Sequence, residues 1–184
     1  MSDEIIKRSS INSSNFLRDK IILSVDLGGT SGFALWLGNN LVKSWFKNVN
    51  SSKDTKPEKE TKYNNCSRLT QQLNIAENYV RENNLKPPFE PALDMVVVED
   101  PFGQYIQGVK VLHIYMGAVI QWCIDRKVSF AKINDKTIKK VFTGNGNANK
   151  DLMVFTAQDK YGDHIVDENE ADAVAVGYTY LNQF

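Results

Sequence analysis

The sequence predicts a single α/β domain built on a mixed five-stranded sheet with helices on both faces. Three short apolar runs joined by glycine-containing turns come first, and they are typical of antiparallel strands. Two further apolar runs then alternate with segments of helical periodicity, an order that favours β-α units added to the same sheet. At 184 residues, the chain is long enough to bury a sizeable core within one domain.

The composition is that of an ordinary globular protein, with 42% hydrophobic and 24% charged residues. The formal net charge is zero, so nothing global indicates a nucleic-acid partner. The charge is nevertheless uneven, because residues 126–150 carry seven bases against one acid, whereas residues 151–184 carry seven acids against one lysine. A basic stretch beside an acidic one suits a site that holds a polyanion and gathers carboxylates around cations.

Cysteine usage and the N-terminal sequence bear on the cellular compartment. Two cysteines, Cys66 and Cys123, and the lack of a signal peptide favour a reducing cytoplasm over a disulfide-bonded secreted class. Residues 1–19 are rich in Ser and Asn and are expected to form a flexible arm. One domain is expected to follow, over residues 20–184.

Hydrophobic periodicity places the elements in order along the chain. Strands are predicted at residues 20–26, 32–37, 41–47, 94–99 and 128–133. Helices are predicted at residues 63–84, 109–125, 134–142, 150–161 and 168–181. The polar residues 48–62 are predicted to form a loop.

Carboxylates stand at the ends of two predicted strands and inside the last predicted helix. Asp26 ends the first strand and Glu99 ends the fourth, and sites in α/β sheets gather at strand ends. If the two strands are neighbours, these acids converge, although a terminal Asp can also simply cap a turn. Asp172 lies within an Ala/Val run where packing would favour an apolar residue, whereas Glu168 and Glu170 can be explained as caps of a helix N-terminus.

Converging carboxylates repel each other, and hard divalent cations relieve that repulsion. Oxygen ligands with open water positions suit Mg²⁺ or Mn²⁺. Two such ions ~4 Å apart can activate water and stabilise the leaving oxygen of a phosphodiester. The acids therefore indicate metal-dependent phosphodiester chemistry.

Four ordered motifs resemble those of RuvC-type Holliday junction resolvases in the RNase H-like superfamily. They are IILSVDLGGTSGFALW at residues 21–36, VVVEDPF at 96–102, IKKVFTGNGNANK at 138–150 and EADAVAVG at 170–177. The third is the most specific, because it fits the family pattern K-x4-G-x-G-x-A-x-K. The resemblance implies an RNase H-like fold and a metal-dependent, structure-selective endodeoxyribonuclease that resolves Holliday junctions and other branched DNA.

The resemblance also implies roles for individual residues. Asp26, Glu99 and Asp172 match the catalytic acids that hold two Mg²⁺ or Mn²⁺ ions. Phe102 matches the aromatic residue that wedges into the junction centre, where a ring can stack on unpaired bases, although it can also be a core residue. Lysines near the third motif match backbone-phosphate contacts: Lys139 and Lys150, with Lys140 as a further candidate whose alternative is a solvated helix face.

The fourth acid of the family pattern is missing from its usual place. Three residues before Asp172 the sequence has Asn169, which offers a carbonyl oxygen without charge. Glu168, four residues before Asp172, lies on the same helical face and is preferred as a replacement, whereas Glu170 reaches in only from a frayed turn. Asn169 is either natural or an inactivating substitution.

The family also implies a partner and a setting. Symmetric cutting of a junction requires two active sites, so a C2 homodimer is expected. The helix at 109–125 is apolar on nearly all sides, which suits either a core or a subunit interface. If it supplies the interface, the pairing residues would be Val111, Ile114, Tyr115, Ala118 and Trp122. The partner is branched DNA, and the compartment is the cytoplasm of a bacterial or phage-infected bacterial cell.

Other functions stay open on the sequence alone. A protein that binds branched DNA without cleaving it would explain Asn169. The turn Asp-Leu-Gly-Gly-Thr at residues 26–30 also resembles the phosphate-binding turn of ATP-dependent sugar kinases with an actin-like fold. That fold needs two related lobes, and this chain has length for one. A relative that processes ribosomal RNA precursors is disfavoured by the GNGNANK motif.

Overall fold

A computed structural model describes residues 20–50, 58–101 and 106–183. The strands in these residues are β1 (Ile21–Asp26), β2 (Thr30–Leu37), β3 (Asn40–Asn48), β4 (Met95–Glu99) and β5 (Ser129–Ile133). The helices are α1 (Glu58–Glu82), α2 (Ile106–Arg126), α3 (Asp135–Thr143), α4 (Lys150–Tyr161) and α5 (Glu168–Gln183). The predicted N-terminal arm lies outside the described residues.

The strands form one mixed sheet in the order β3-β2-β1-β4-β5. The first three strands pair antiparallel, and β1–β4 and β4–β5 pair parallel. The predicted five-stranded sheet with three antiparallel strands at its start is therefore confirmed. Its central strand, β1, is buried along most of its length because it has neighbours on both sides and helices on both faces.

Side chains alternate between the two faces of the sheet, and each face carries its own helical layer. Ile21, Leu23 and Val25 of β1 pack into a core that includes residues of α1 and α2. Ile22, also of β1, packs into a second core that includes residues of α3, α4 and α5. Helices on both faces were predicted, and the two cores confirm them.

Helix α1 begins earlier than the sequence indicates. The polar residues 48–62 were predicted to form a loop, but β3 extends to Asn48 and α1 begins at Glu58. Glu and Lys are good helix formers, so residues 58–62 extend the helix without the apolar periodicity that marks its later turns.

Helix α2 differs from its prediction in the face that it buries. Tyr115 and Trp122 are almost fully buried in the core beneath α1. Their polar atoms are bonded there, because Asn65 donates to the Tyr115 hydroxyl and the Trp122 indole donates to Asn74 at 2.8 Å. The prediction that these two side chains pair across a subunit interface is wrong.

In the described part of the chain, no helix is both long and apolar enough to cross a bilayer.

Candidate active site

The candidate site forms where β1 and β4 end side by side. These strands are parallel, and Val25 lies opposite Val98, so the next residue on each strand is an acid, Asp26 or Glu99. Ile22 of β1 and Val97 of β4 face the α3–α5 layer, and two-residue alternation places both acids on that same face. The sheet thus brings together two carboxylates that are 73 positions apart in the sequence.

Helix α5 supplies the third predicted acid. It packs across β1 and β2, and the residues on both sides of Asp172, Ala171 and Ala173, are fully buried in the second core. Asp172 itself remains half-buried and faces the cavity into which Asp26 and Glu99 point. The helix therefore presents one carboxylate to the ends of the two strands.

Two further helices bring lysines to the same place. The Asn134 side chain caps α3 by accepting from the Lys136 amide, and Lys139 follows one turn later. The Asn149 side chain caps α4 by accepting from the Leu152 amide at 3.0 Å, which fixes Lys150 as the first residue of that helix. The third sequence motif therefore runs from the later turns of α3 to the first residue of α4, and it brings Lys139 and Lys150 to the same cavity.

These groups line a single cavity of about 430 Å³. Its polar lining contains the carboxylates of Asp26, Glu99, Asp135 and Asp172 and the ammonium groups of Lys139 and Lys150. Asp135 was missed by the sequence reasoning. It stands in the first turn of α3, where an acid is expected for the helix dipole alone, and a Lys139–Asp135 ion pair of 2.8 Å fixes it.

Burial and repulsion from neighbouring acids raise the pKa values of Asp26, Glu99 and Asp172. Burial raises the pKa of Asp26 well above its ordinary value, and the charges of Glu99 and Asp172 raise it further. Burial and the nearby Asp135 and Asp172 raise the pKa of Glu99 to about 7. For Asp172, burial raises the pKa to about 6 even though Lys139 and Lys150 oppose the shift.

The two lysines are held in their charged form chiefly by two other acids, Asp135 and Glu168. Burial lowers the pKa of Lys139, but the hydrogen bond and charge of Asp135 outweigh it, and the net shift is upward. A hydrogen bond to Glu168 raises the pKa of Lys150. Both side chains are therefore cations at neutral pH, beside carboxylates that resist full ionisation.

The donor set fits a hard divalent cation. Four carboxylates line one cavity, and the raised pKa values mark negative charge that lacks sufficient compensation from the protein. Within residues 20–50, 58–101 and 106–183, no three His, Cys, Asp or Glu side chains already stand in the arrangement of a single metal site. Binding would therefore require the carboxylates to draw together around the ion.

The remaining predicted residues lie elsewhere. Glu168 lies at the rim, where it pairs with Lys150 and lines an adjoining groove. Glu170 is buried and accepts a hydrogen bond of 2.6 Å from Ser44 of β3, so its position removes it from the proposed ligands. Lys140 is exposed and lines another groove on α3, and Phe102 lies outside the described residues.

Comparison with solved structures identifies the fold. RuvC of Thermus thermophilus in complex with a Holliday junction substrate superposes with a TM-score of 0.64 and 15% identity, over 87% of this chain and 92% of that one. A second structure of Thermus thermophilus RuvC gives a TM-score of 0.60 at 16% identity, with the same coverage. The chain has the RuvC-type fold. The RNase H-like architecture implied by the four motifs is therefore confirmed.

Sequence comparison points to RuvC over a shorter stretch. RuvC of Brachyspira hyodysenteriae, a crossover junction endodeoxyribonuclease, is 33% identical over 67 residues, which cover 36% of this chain and 42% of that protein. The matched region thus spans less than half of the curated relative. The chain matches no protein-family model. The fold of RuvC is therefore shared over most of this chain, whereas sequence similarity is confined to a shorter stretch.

Proposed function

We propose that this chain is a metal-dependent, structure-selective endonuclease that resolves Holliday junctions and related branched DNA by hydrolysing phosphodiester bonds. The observation that carries the proposal is the single cavity in which four carboxylates stand beside two lysines. The RuvC-type fold supports the proposal, because Asp26 and Glu99 end neighbouring strands of this sheet and line one cavity with Asp172 of α5.

Asp26, Glu99 and Asp172 would hold Mg²⁺ or Mn²⁺, two ions per site, and Asp135 would take the place of the fourth acid. Bound there, the ions supply an activated water and charge stabilisation at the leaving oxygen. Lys139 and Lys150 bind the phosphate oxygens as point charges and keep the scissile strand at the cavity mouth. The expected products carry 5′-phosphate and 3′-hydroxyl ends.

Three lysines on α3 and α4 would follow the path of the DNA backbone. Lys139 and Lys150 line the cavity, and Lys140 extends the basic surface along the outer face of α3. Because these contacts are to phosphates, binding should weaken steeply as salt increases. Phe102, three residues beyond Glu99, would reach an opened branch point and stack on an unpaired base.

A C2 homodimer would present two such sites to one junction. The outer face of α2 carries exposed residues at alternating spacings of four and three: Lys110, Ile114, Gly117, Gln121 and Ile124. Ile114 is 45% exposed and Ile124 is 64% exposed, and the space around Gly117 is open, which permits close approach of a second helix. This seam keeps Ile114 from the residues expected at the interface and leaves out Tyr115 and Trp122, which are buried in the core.

Asn169 does not argue against cleavage. Its side-chain amide donates to Asp167 at 2.9 Å, outside the cavity, and Asp135 supplies a fourth carboxylate inside the cavity.

The decisive experiment incubates labelled four-way junctions and matched linear duplexes with the protein, in separate reactions that contain Mg²⁺, Mn²⁺ or EDTA. Metal-dependent cutting confined to branched DNA is expected. Junction binding without cutting under any metal condition would instead identify a binding protein.

A further inference from the structure

A fully buried hydroxyl connects the strand of Asp26 to the helix of Asp172. Ser24 of β1 donates from Oγ to the carbonyl oxygen of Ala173 at 2.7 Å. The same Oγ accepts a hydrogen bond of 3.0 Å from the indole nitrogen of Trp36. Ser24 is 0% exposed, so neither bond can be replaced by water. The carbonyl oxygen of Ala34 on β2 lies 3.2 Å from the same Oγ, so the bond to Ala173 is the shorter of two that the hydroxyl can donate.

Helix α5 packs so closely on the sheet at this point that two glycines are required at the contact. A Cβ placed on Gly177 would lie 2.1 Å from the Trp36 indole nitrogen and 2.6 Å from Ser24 Oγ. A Cβ placed on Gly32 would lie 1.7 Å from the carbonyl oxygen of Asn169. The glycines let the α5 backbone rest directly on β1 and β2, on both sides of Asp172.

The Ser24–Ala173 hydrogen bond lies close in the chain to both Asp26 and Asp172. Ser24 lies two residues before Asp26 on the same face of β1, and Ala173 directly follows Asp172. The hydroxyl therefore joins β1, two residues before Asp26, to the α5 backbone directly after Asp172. A shift of α5 along the sheet would break the Ser24 bond and change the separation of the two carboxylates.

We propose that Ser24 is a positioning residue that fixes α5 on β1 so that Asp26 and Asp172 share metal ions. This inference rests on the metal site of the proposed function. Ser24 itself touches neither the ions nor the DNA and acts only through the two acids. Groups that orient metal ligands change metal affinity by about tenfold or more when they are lost.

The test measures Mn²⁺ affinity by calorimetry on the full chain, together with kcat and KM on a four-way junction. Ser24→Ala is expected to weaken Mn²⁺ binding about tenfold and to lower kcat similarly, with the KM for the junction unchanged. Thr179→Val is the matched control, because Thr179 is a buried hydroxyl on the same helix that contacts Ile138 two turns beyond Asp172. It is expected to retain wild-type Mn²⁺ affinity and kcat.

The outcomes separate this inference from the proposed function. If wild type binds Mn²⁺ and cuts junctions but Ser24→Ala does so equally well, Ser24 has no positioning role and the nuclease assignment stands. Equal losses in Ser24→Ala and Thr179→Val would also overturn the inference, since any buried hydroxyl would then suffice. If wild type binds no Mn²⁺, both proposals fail. Should Ser24→Ala not fold, Ser24→Cys retains the volume with a weaker donor and is expected to show a smaller loss of Mn²⁺ affinity in the same direction.

Discussion

Asp26 and Glu99 end neighbouring parallel strands one residue beyond the paired Val25 and Val98, and both carboxylates line the same cavity. Among the charged neighbours of Asp26, Glu99 contributes most to raising the pKa of Asp26, so the two carboxylates repel each other across the cavity.

Removing the charge of Asp26 should stop cleavage without preventing DNA binding. Asp26→Asn is expected to lower the cleavage rate by about 100-fold or more, because a metal ligand loses its charge while the lysines stay in place. Gel shifts in Ca²⁺ or EDTA should show wild-type affinity for the junction. Asp159→Asn, at an exposed position on α4, is the control and should cut normally. Normal cutting by Asp26→Asn would remove this residue from the mechanism.

The metal-free protein should lose stability as the pH rises through the range in which its site acids ionise. Burial and neighbouring acids raise the pKa of Glu99 to about 7, so the folded state keeps a proton that the unfolded state releases near its ordinary value of 4.5. Relative to wild type in EDTA, Glu99→Gln should gain stability from pH 5 to pH 8, with each kcal/mol seen as a rise of about 2–4 °C in Tm. Thermal melts at several pH values provide the measurement. If the difference in Tm between Glu99→Gln and wild type did not change with pH, ionisation of Glu99 would not be its cause.

Lys150 should contribute one phosphate contact. Lys150→Gln is expected to weaken junction binding and to reduce the slope of log affinity against log salt by about 1. Lys160→Gln, an exposed lysine near the other end of α4, serves as the control and should leave the slope unchanged. Fluorescence anisotropy over a range of salt concentrations measures both. An unchanged slope for Lys150→Gln would show that this side chain only balances Glu168.

The outer face of α2 should hold two copies of the chain together. Ile114→Glu places a charge in the proposed seam and is expected to yield monomers that lose paired incisions, because each monomer carries one site. Ile75→Glu is matched to it, since Ile75 of α1 is 44% exposed and lies outside the seam. Sedimentation velocity measures the oligomeric state. A dimer that survives Ile114→Glu but dissociates with Ile75→Glu would place the interface on α1.

Much of this site was predictable because it depends on strand order and alternation. Buried runs that end in Asp26 and Glu99 leave little freedom in register, and the motif around Asp172 fixed the third acid by position. Asp135 was not predictable, because an acid in the first turn of a helix has a sufficient local explanation. The position of Glu170 depended on Ser44, which lies 126 residues away, and no local pattern encodes that contact.

The two faces of α2 show a second limit of prediction from sequence. Its sequence is apolar on nearly all sides, so periodicity did not separate the face packed beneath α1 from the exposed one. Tyr115 and Trp122 are buried because Asn65 and Asn74 on α1 satisfy their polar atoms, and that pairing is a tertiary property. The contacts of Tyr115 and Trp122 with α1 therefore distinguish the core face of α2 from its exposed seam.

Anomalous scattering from a crystal soaked in Mn²⁺ would show directly whether the three acids bind metal together. Peaks are expected in the cavity, within about 2.3 Å of carboxylate oxygens from Asp26, Glu99 and Asp172. Peaks confined to other surface acids, with these three side chains still apart, would contradict a shared metal centre and with it the proposed nuclease.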